Sequence, residues 1–259
     1  ELMKRREKYK CEVPEEVLYL TAGVDTQDDR FEIEVVGWGP EYESWGIRYA
    51  AIYGDNSDIN NQVWQDLDTF LLQTFEKPDG TKMKLSCVCI DSGGHRTNQV
   101  YKFCKARFNR RVFAIKGSND SAAAYIQKPS KSNREGAYLF TLGVDTGKSL
   151  LMDRLKLEEE GPGFCHFPKE ESKGYDEKYF KGLTSEKKVM RYKMGRPYFA
   201  WELKDKGEHK RNEALDCRNY ATAAIEIINV PLKKPDKKKD ATQAKKIVKR
   251  GRRRSGGIL

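Results

Sequence analysis

Between Val17 and Tyr53 the chain reads as three successive strands. Residues 17–25 (VLYLTAGVD) form an apolar run ending in an aspartate. Residues 30–38 (RFEIEVVGW) place Phe31, Ile33 and Val35 on one face at period two. The link Thr26-Gln27-Asp28-Asp29 is of hairpin length, so these two strands are expected to pair antiparallel. A Gly39-Pro40 turn leads to a third strand over 43–53, completing a meander. The pattern then switches to helical spacing across 60–75, with Val63, Trp64, Leu67, Phe70 and Leu71 on one stripe. After the Pro78-Asp79-Gly80 turn, residues 84–91 (KLSCVCID) are almost continuously apolar, as expected of a strand covered on both faces. A helix over 95–108 and a short strand at 112–115 follow. The polar stretch 117–135 reads as a loop. A strand at 137–142, a helix at 147–158, a charged irregular stretch at 168–195, a strand at 197–203 and an Ala/Ile-rich helix at 211–229 ended by Pro231 complete the chain.

Composition adds a division rather than a class. The formal charge is +10 over 259 residues. From residue 232 onward twelve lysines and arginines face only Asp236 and Asp240, a surplus that equals the charge of the whole chain. Residues 1–231 are therefore neutral, and bulk charge says nothing about a nucleic-acid surface on the folded part. The expected organisation is an N-terminal linker at 1–14, a domain at 15–230, and a disordered basic tail at 231–259. No apolar run reaches the ~18 residues of a membrane span. The six cysteines (Cys11, Cys87, Cys89, Cys104, Cys165, Cys217) include no CxxC pair. Cys165-His166 has no partner pair at finger spacing, so reduced, buried thiols are expected.

Three carboxylates stand where catalysis would use them. Asp25 ends the first strand, Asp91 ends the central apolar strand ahead of Ser92-Gly93-Gly94, and Asp216 lies in the last helix among Ala214, Leu215, Cys217 and Tyr220. An aspartate after a strand often only starts a turn, and Asp216 alone could be a surface group. Taken together, carboxylates beside apolar neighbours are costly unless paired or metal-bound, and hard oxygen donors favour Mg²⁺ or Mn²⁺. An antiparallel meander, a helix, a strand ending in Asp and a late helix carrying a carboxylate define an α/β fold, an RNase H-like mixed sheet flanked by helices. In that layout the first strand, the fourth strand and the last helix converge.

The segments GVDTQDDRFEIEVVGWG, CIDSGGHRTNQVYKFCKAR, FAIKGS and HKRNEALDCRNYA, in this order over residues 15–230, resemble the nuclease domain of the large terminase subunit of lambda-like phages. The resemblance implies an endonuclease that cuts concatemeric double-stranded viral DNA in the host cytoplasm during packaging. It implies two divalent cations, with Asp25, Asp91 and Asp216 as ligands. Such pairs lie roughly 3.5–4 Å apart and activate water while stabilising the leaving oxygen. Glu213, one turn before Asp216, is a second candidate ligand; Asp29, Lys116 and His209 are further candidates. The implied partners are a small subunit, a portal engaged through the C-terminal tail, and an ATPase domain preceding residue 1. A non-catalytic DNA- or portal-binding module, and a junction resolvase or RNase H-type nuclease, remain the alternatives.

Two motifs compete for attention. Gly143-Val144-Asp145-Thr146-Gly147-Lys148-Ser149 approaches a phosphate-binding loop but has three residues between its glycines instead of four. It is read as a helix start with Asp145 or Thr146 near the cap, and no ATPase activity is expected of this chain. Asp176 with Glu202-Leu203-Lys204 imitates a restriction-type nuclease, but that fold would leave Asp25 and Asp91 unexplained.

Overall fold

The computed structural model describes residues 1–204 and 211–233. In chain order the strands are β1 (Arg6–Glu7), β2 (Tyr19–Thr26), β3 (Arg30–Trp38), β4 (Ser44–Tyr53), β5 (Phe75–Glu76), β6 (Lys82–Met83), β7 (Leu85–Asp91), β8 (Val112–Gly117), β9 (Leu139–Leu142), β10 (Cys165–Pro168), β11 (Glu186–Lys193) and β12 (Arg196–Leu203). The helices are α1 (Gln62–Leu71), α2 (Thr97–Ala106), α3 (Val144–Leu155), α4 (Glu177–Leu183) and α5 (Glu213–Ile228).

Eight strands form one mixed sheet in the order β1-β10-β4-β3-β2-β7-β8-β9. The meander β2-β3-β4 is antiparallel, whereas β7, β8 and β9 continue parallel to β2. This is the RNase H-like arrangement expected from the pattern. Because side chains alternate across a sheet, Leu20, Ala22, Val24, Ile33, Val35, Val88 and Ile90 share one face. There they pack with Val63, Trp64, Leu67, Val100 and Phe103 of α1 and α2. The opposite positions Cys87, Cys89, Phe113 and Ile115 meet Tyr220, Ala223 and Ala224 of α5. All six cysteines are free thiols, and five are buried.

The face under α5 is unusually polar. Glu34 is fully buried, accepts from Arg218 Nη1 at 2.7 Å, and receives the hydroxyls of Tyr179 (2.8 Å) and Tyr175 (3.2 Å). Burial pushes its carboxyl up, and Arg218 pulls against that. A buried charge is tolerable only with such partners, since removing one leaves the other uncompensated. Glu32, next on the same face, is held by Arg30 Nε (2.8 Å), Arg211 Nη2 (3.0 Å) and the Tyr49 hydroxyl.

Four readings change in detail. The stretch expected to be irregular at 168–195 contains α4, capped by Asp176 accepting from the Tyr179 N–H at 2.8 Å, and β11, which pairs with β12 along its whole length. Residues 1–14, read as a linker, add β1 to the sheet edge and bury Val13 and most of Tyr9. The last helix ends at Ile228, where Asn229 takes the left-handed conformation (φ 45°), before Pro231 is reached. The helix expected at 147–158 begins at Val144 with no side-chain cap; Thr146 Oγ1 bonds the Ala123 carbonyl instead.

Candidate active site

Register brings the two strand-end aspartates side by side. β2 and β7 run parallel with Val24 opposite Ile90, so Asp25 and Asp91 follow at neighbouring strand ends. The strands are tied there by Thr26 Oγ1 donating to the Asp91 carbonyl at 2.8 Å. Thr21, Gly23 and Asp25 point to the face that carries α5. Thr21 Oγ1 donates to the Ala221 carbonyl at 2.7 Å. At position 23 a Cβ would lie 2.0 Å from the Cys217 carbonyl oxygen and 2.5 Å from the Ala221 nitrogen. Only glycine lets the helix lie this close, and that closeness delivers Asp216 to the two strand ends.

The electrostatics record the convergence. Burial, then the charges of Asp216 and Asp91, push the Asp25 carboxyl well above the usual carboxylate range, against the Gln27 amide that donates to it. Asp91 is raised by burial and held down by the Gly93 and Ser92 N–H groups and by Lys116. Asp216 is pushed up to about 6 by burial and by Glu186 and Asp91, with Lys148 pulling the other way. Tyr220 faces all three, and after burial their charges raise its hydroxyl. Neither Asp25 nor Asp91 has a lysine or arginine ion pair among the described residues. Carboxylates concentrated in this way, two of them without a direct ion pair, are what a divalent cation neutralises. Asp25, Asp91 and Tyr220 line an open cleft of ≈ 480 Å³ together with Gln27, Asp28 and His95.

The convergence is incomplete in one respect. The three aspartates do not bring ligand atoms within 4.8 Å of one another; among the described residues Glu7, Glu160 and His166 alone do. Asp216 is instead engaged by Lys148, whose buried ammonium lies 3.0 Å from Asp216 Oδ1 and 2.8 and 2.9 Å from the two Glu186 oxygens. Asn212 Nδ2 donates to both acids at 2.8 Å. The cation of the phosphate-loop look-alike is thus turned inward onto the last helix.

Of the other candidates, Glu213 is clamped by Arg30 Nη2 at 2.6 Å and Arg211 Nε at 3.5 Å, away from the cleft. Asp29 points outward and pairs with Arg30 at 2.7 Å. Lys116 is exposed and reaches Asp91 only through its charge. His209 lies outside the described residues, as does the tail from 234 onward. Sequence reading missed Lys148, Glu186 and the Asp28–His95 pair (3.1 Å) at the cleft rim. A lysine in a near-miss motif was the one available signal. Asp176 and Glu202 are accounted for by the α4 cap and by Arg191, which grips Glu202 at 2.6 and 2.5 Å.

An RNase H-like sheet with carboxylates at two neighbouring strand ends under a covering helix is an arrangement that carboxylate-dependent nucleases use. The chain belongs to the family described as terminase large subunit gpA, endonuclease domain, whose model matches residues 1–239. It is 37% identical over 230 residues to the terminase large subunit of Escherichia phage lambda, and 32% identical over 231 residues to that of Enterobacteria phage P21. Each match takes in 87% of this chain and 35% of the relative, so the chain spans about a third of the length of these relatives. Among solved structures, a mutant nuclease domain of the large terminase subunit gp2 of bacterial virus Sf6 with manganese aligns at 18% identity and a TM-score of 0.47. That alignment covers 79% of this chain and 88% of that one.

Proposed function

We propose that this domain is the DNA-cutting part of a phage packaging terminase, with Asp25, Asp91 and Asp216 holding two Mg²⁺ or Mn²⁺ ions. The observation that carries this reading is the adjacency of buried Asp25 and half-buried Asp91, two carboxylates with no lysine or arginine ion pair among the described residues, on the face covered by α5. When bound, the ions supply Lewis acidity to the attacking water and the leaving 3′ oxygen. Asp25 is the central ligand, flanked by both other acids. The Gln27 amide orients it, and the Gly93 N–H at 3.1 Å orients Asp91 Oδ1. The substrate is concatemeric double-stranded viral DNA in the cytoplasm of the infected bacterium. Residues 15–230, with β1 from the 1–14 segment added at the sheet edge, form the nuclease unit, entered from an ATPase domain. The basic tail from 231 to 259 docks on the portal, and a small subunit selects the cutting site.

The test is incubation of supercoiled plasmid with the chain in Mn²⁺, in Mg²⁺ and in EDTA, beside a four-way junction and an RNA–DNA hybrid. Metal-dependent conversion of the plasmid to nicked and linear forms is expected. Faster cutting of the junction or hybrid would assign the domain to a resolvase or RNase H instead. No cutting of any substrate, with the fold intact, would leave a binding module.

Lys148 gives a second expectation. In Lys148→Met, Asp216 and Glu186 lose their shared cation, but Asp216 can take up a proton, which limits the cost to about 2 kcal/mol in EDTA. A divalent ion can then supply the missing charge, so Mn²⁺ should raise the melting temperature more in the variant than in the wild type. Equal gains would remove Lys148 from the electrostatics of the metal site.

A further inference from the structure

The three-residue cluster noted above lies at the opposite edge of the sheet from β9, where β1, β10 and the start of β4 meet. His166 on β10 is 6% exposed. Its ring is stacked on Trp45 (centroids 4.8 Å apart, planes at 3°) and set edge-on to Phe164 at 4.7 Å, so its orientation is fixed. Nε2 lies 3.0 Å from Glu43 Oε1 and Nδ1 lies 2.7 Å from Glu7 Oε1. Ligand atoms of Glu7, Glu160 and His166 all fall within 4.8 Å of one another, at the wall of an open cleft of ≈ 640 Å³.

Proton counting makes the arrangement informative. A neutral imidazole carries one N–H and one lone pair. If Nε2–H donates to Glu43, the Nδ1 lone pair faces a carboxylate, which is repulsive unless a cation lies between. A doubly protonated ring would satisfy both bonds as well, but the exposed Glu160 brings a third ligand atom within reach that a shared cation would use. Among the described residues no lysine or arginine ion-pairs with Glu7, Glu43 or Glu160, although Lys8 and Lys10 line the same cleft. One divalent ion resolves all of this, because an imidazole ligand whose other nitrogen is fixed by a carboxylate is the usual outer-shell arrangement of a metal-bound histidine.

We propose that Glu7, Glu160 and His166 Nδ1 bind a zinc-class divalent cation, with Glu43 as the carboxylate that orients the histidine and water completing the shell. One nitrogen and two carboxylates suit Zn²⁺ better than Mg²⁺, which prefers oxygen alone. Cys165 takes no part: its thiol lies buried against Ser44 Oγ at 3.5 Å and the Gly163 carbonyl at 3.8 Å. The ion would fasten β1 and the turn at 160 to β10, independently of the nuclease reading.

The experiment uses the full chain carrying Asp25→Asn and Asp91→Asn, so that the nuclease aspartates do not contribute. The protein is stripped with chelator, titrated calorimetrically with Zn²⁺, and its bound metal counted by mass spectrometry. About one zinc ion per chain and a higher melting temperature on loading are expected. Adding Glu160→Gln, an exposed side chain with no hydrogen bond among the described residues, should weaken binding by at least about tenfold without unfolding the domain, and Glu43→Gln by about tenfold. Absence of zinc uptake in the double variant, or unchanged affinity in Glu160→Gln, would overturn the assignment.

Discussion

Asp25→Asn is expected to cut the plasmid about 10³-fold more slowly than the wild type while making the metal-free domain more stable. The loss follows from removing a central ligand, an effect of about 4 kcal/mol on the barrier. The gain follows from the sign of the electrostatics. Folding raises the Asp25 pKa above its ordinary value. The ionised form is therefore disfavoured in the folded state, and above the unfolded pKa the group costs stability. Asparagine has the same shape, keeps an acceptor for Gln27, and removes the charge facing Asp91 and Asp216. A gain of about 1–2 kcal/mol in EDTA is expected, and the rise in melting temperature on adding Mn²⁺ should shrink. Asp91→Asn should behave alike, with a smaller gain because backbone N–H groups already stabilise its charge. Melting curves in EDTA and in Mn²⁺, beside initial cleavage rates, check both. Wild-type cutting by either variant removes that residue from the site. Lost cutting with a large fall in melting temperature would mark it as structural.

Gly23→Ala carries the second large effect, on stability. The added methyl would sit 2.0 Å from one backbone atom of α5 and 2.5 Å from another. No rotamer change relieves a contact with backbone, so the helix must move. Overpacking typically costs 1–3 kcal/mol; with main chain on both sides the expected cost is about 3 kcal/mol or more, roughly a 10 °C fall in melting temperature for a domain of this size. The displaced helix carries Asp216, so cleavage below the melting range should fall as well. Gly94→Ala is the control: its Cβ would meet nothing nearer than the Thr26 carbonyl at 4.0 Å, and its stability should stay near wild type. Equal melting of Gly23→Ala and wild type would refute the close-approach argument.

The parts of this fold legible in the sequence are those whose burial follows a period. β2, β3, β4 and β7 were placed within a residue or two because each buries a face or a whole run. β10 and β11 were not, for different reasons. β10 is four residues, two of them Cys165 and His166, and its position between β1 and β4 comes from tertiary pairing. β11 (EKKVMRYK) is mostly charged and is a strand because β12 lies beside it. At the site, Asp25 and Asp91 stood out because strand ends are visible in a sequence. Glu32 and Glu34 did not, since alternation with Phe31, Ile33 and Val35 looks the same whether the second face meets water or Arg218. Lys148 was likewise hidden: an inward lysine follows no pattern, and only the acids opposite it give it a reason.

That lysine binds two parts of the molecule into one equilibrium. Glu186 opens the β11–β12 hairpin, and Asp216 belongs to the helix over the aspartate cleft; the Lys148 ammonium holds both, beside the Asn212 amide. Whatever draws Asp216 away from Lys148 loosens the hairpin's anchor, and whatever lifts the hairpin frees Asp216. By thermodynamic reciprocity the two coupling energies are equal, so a change in the charge state of Asp216 is expected to show in the hairpin's freedom.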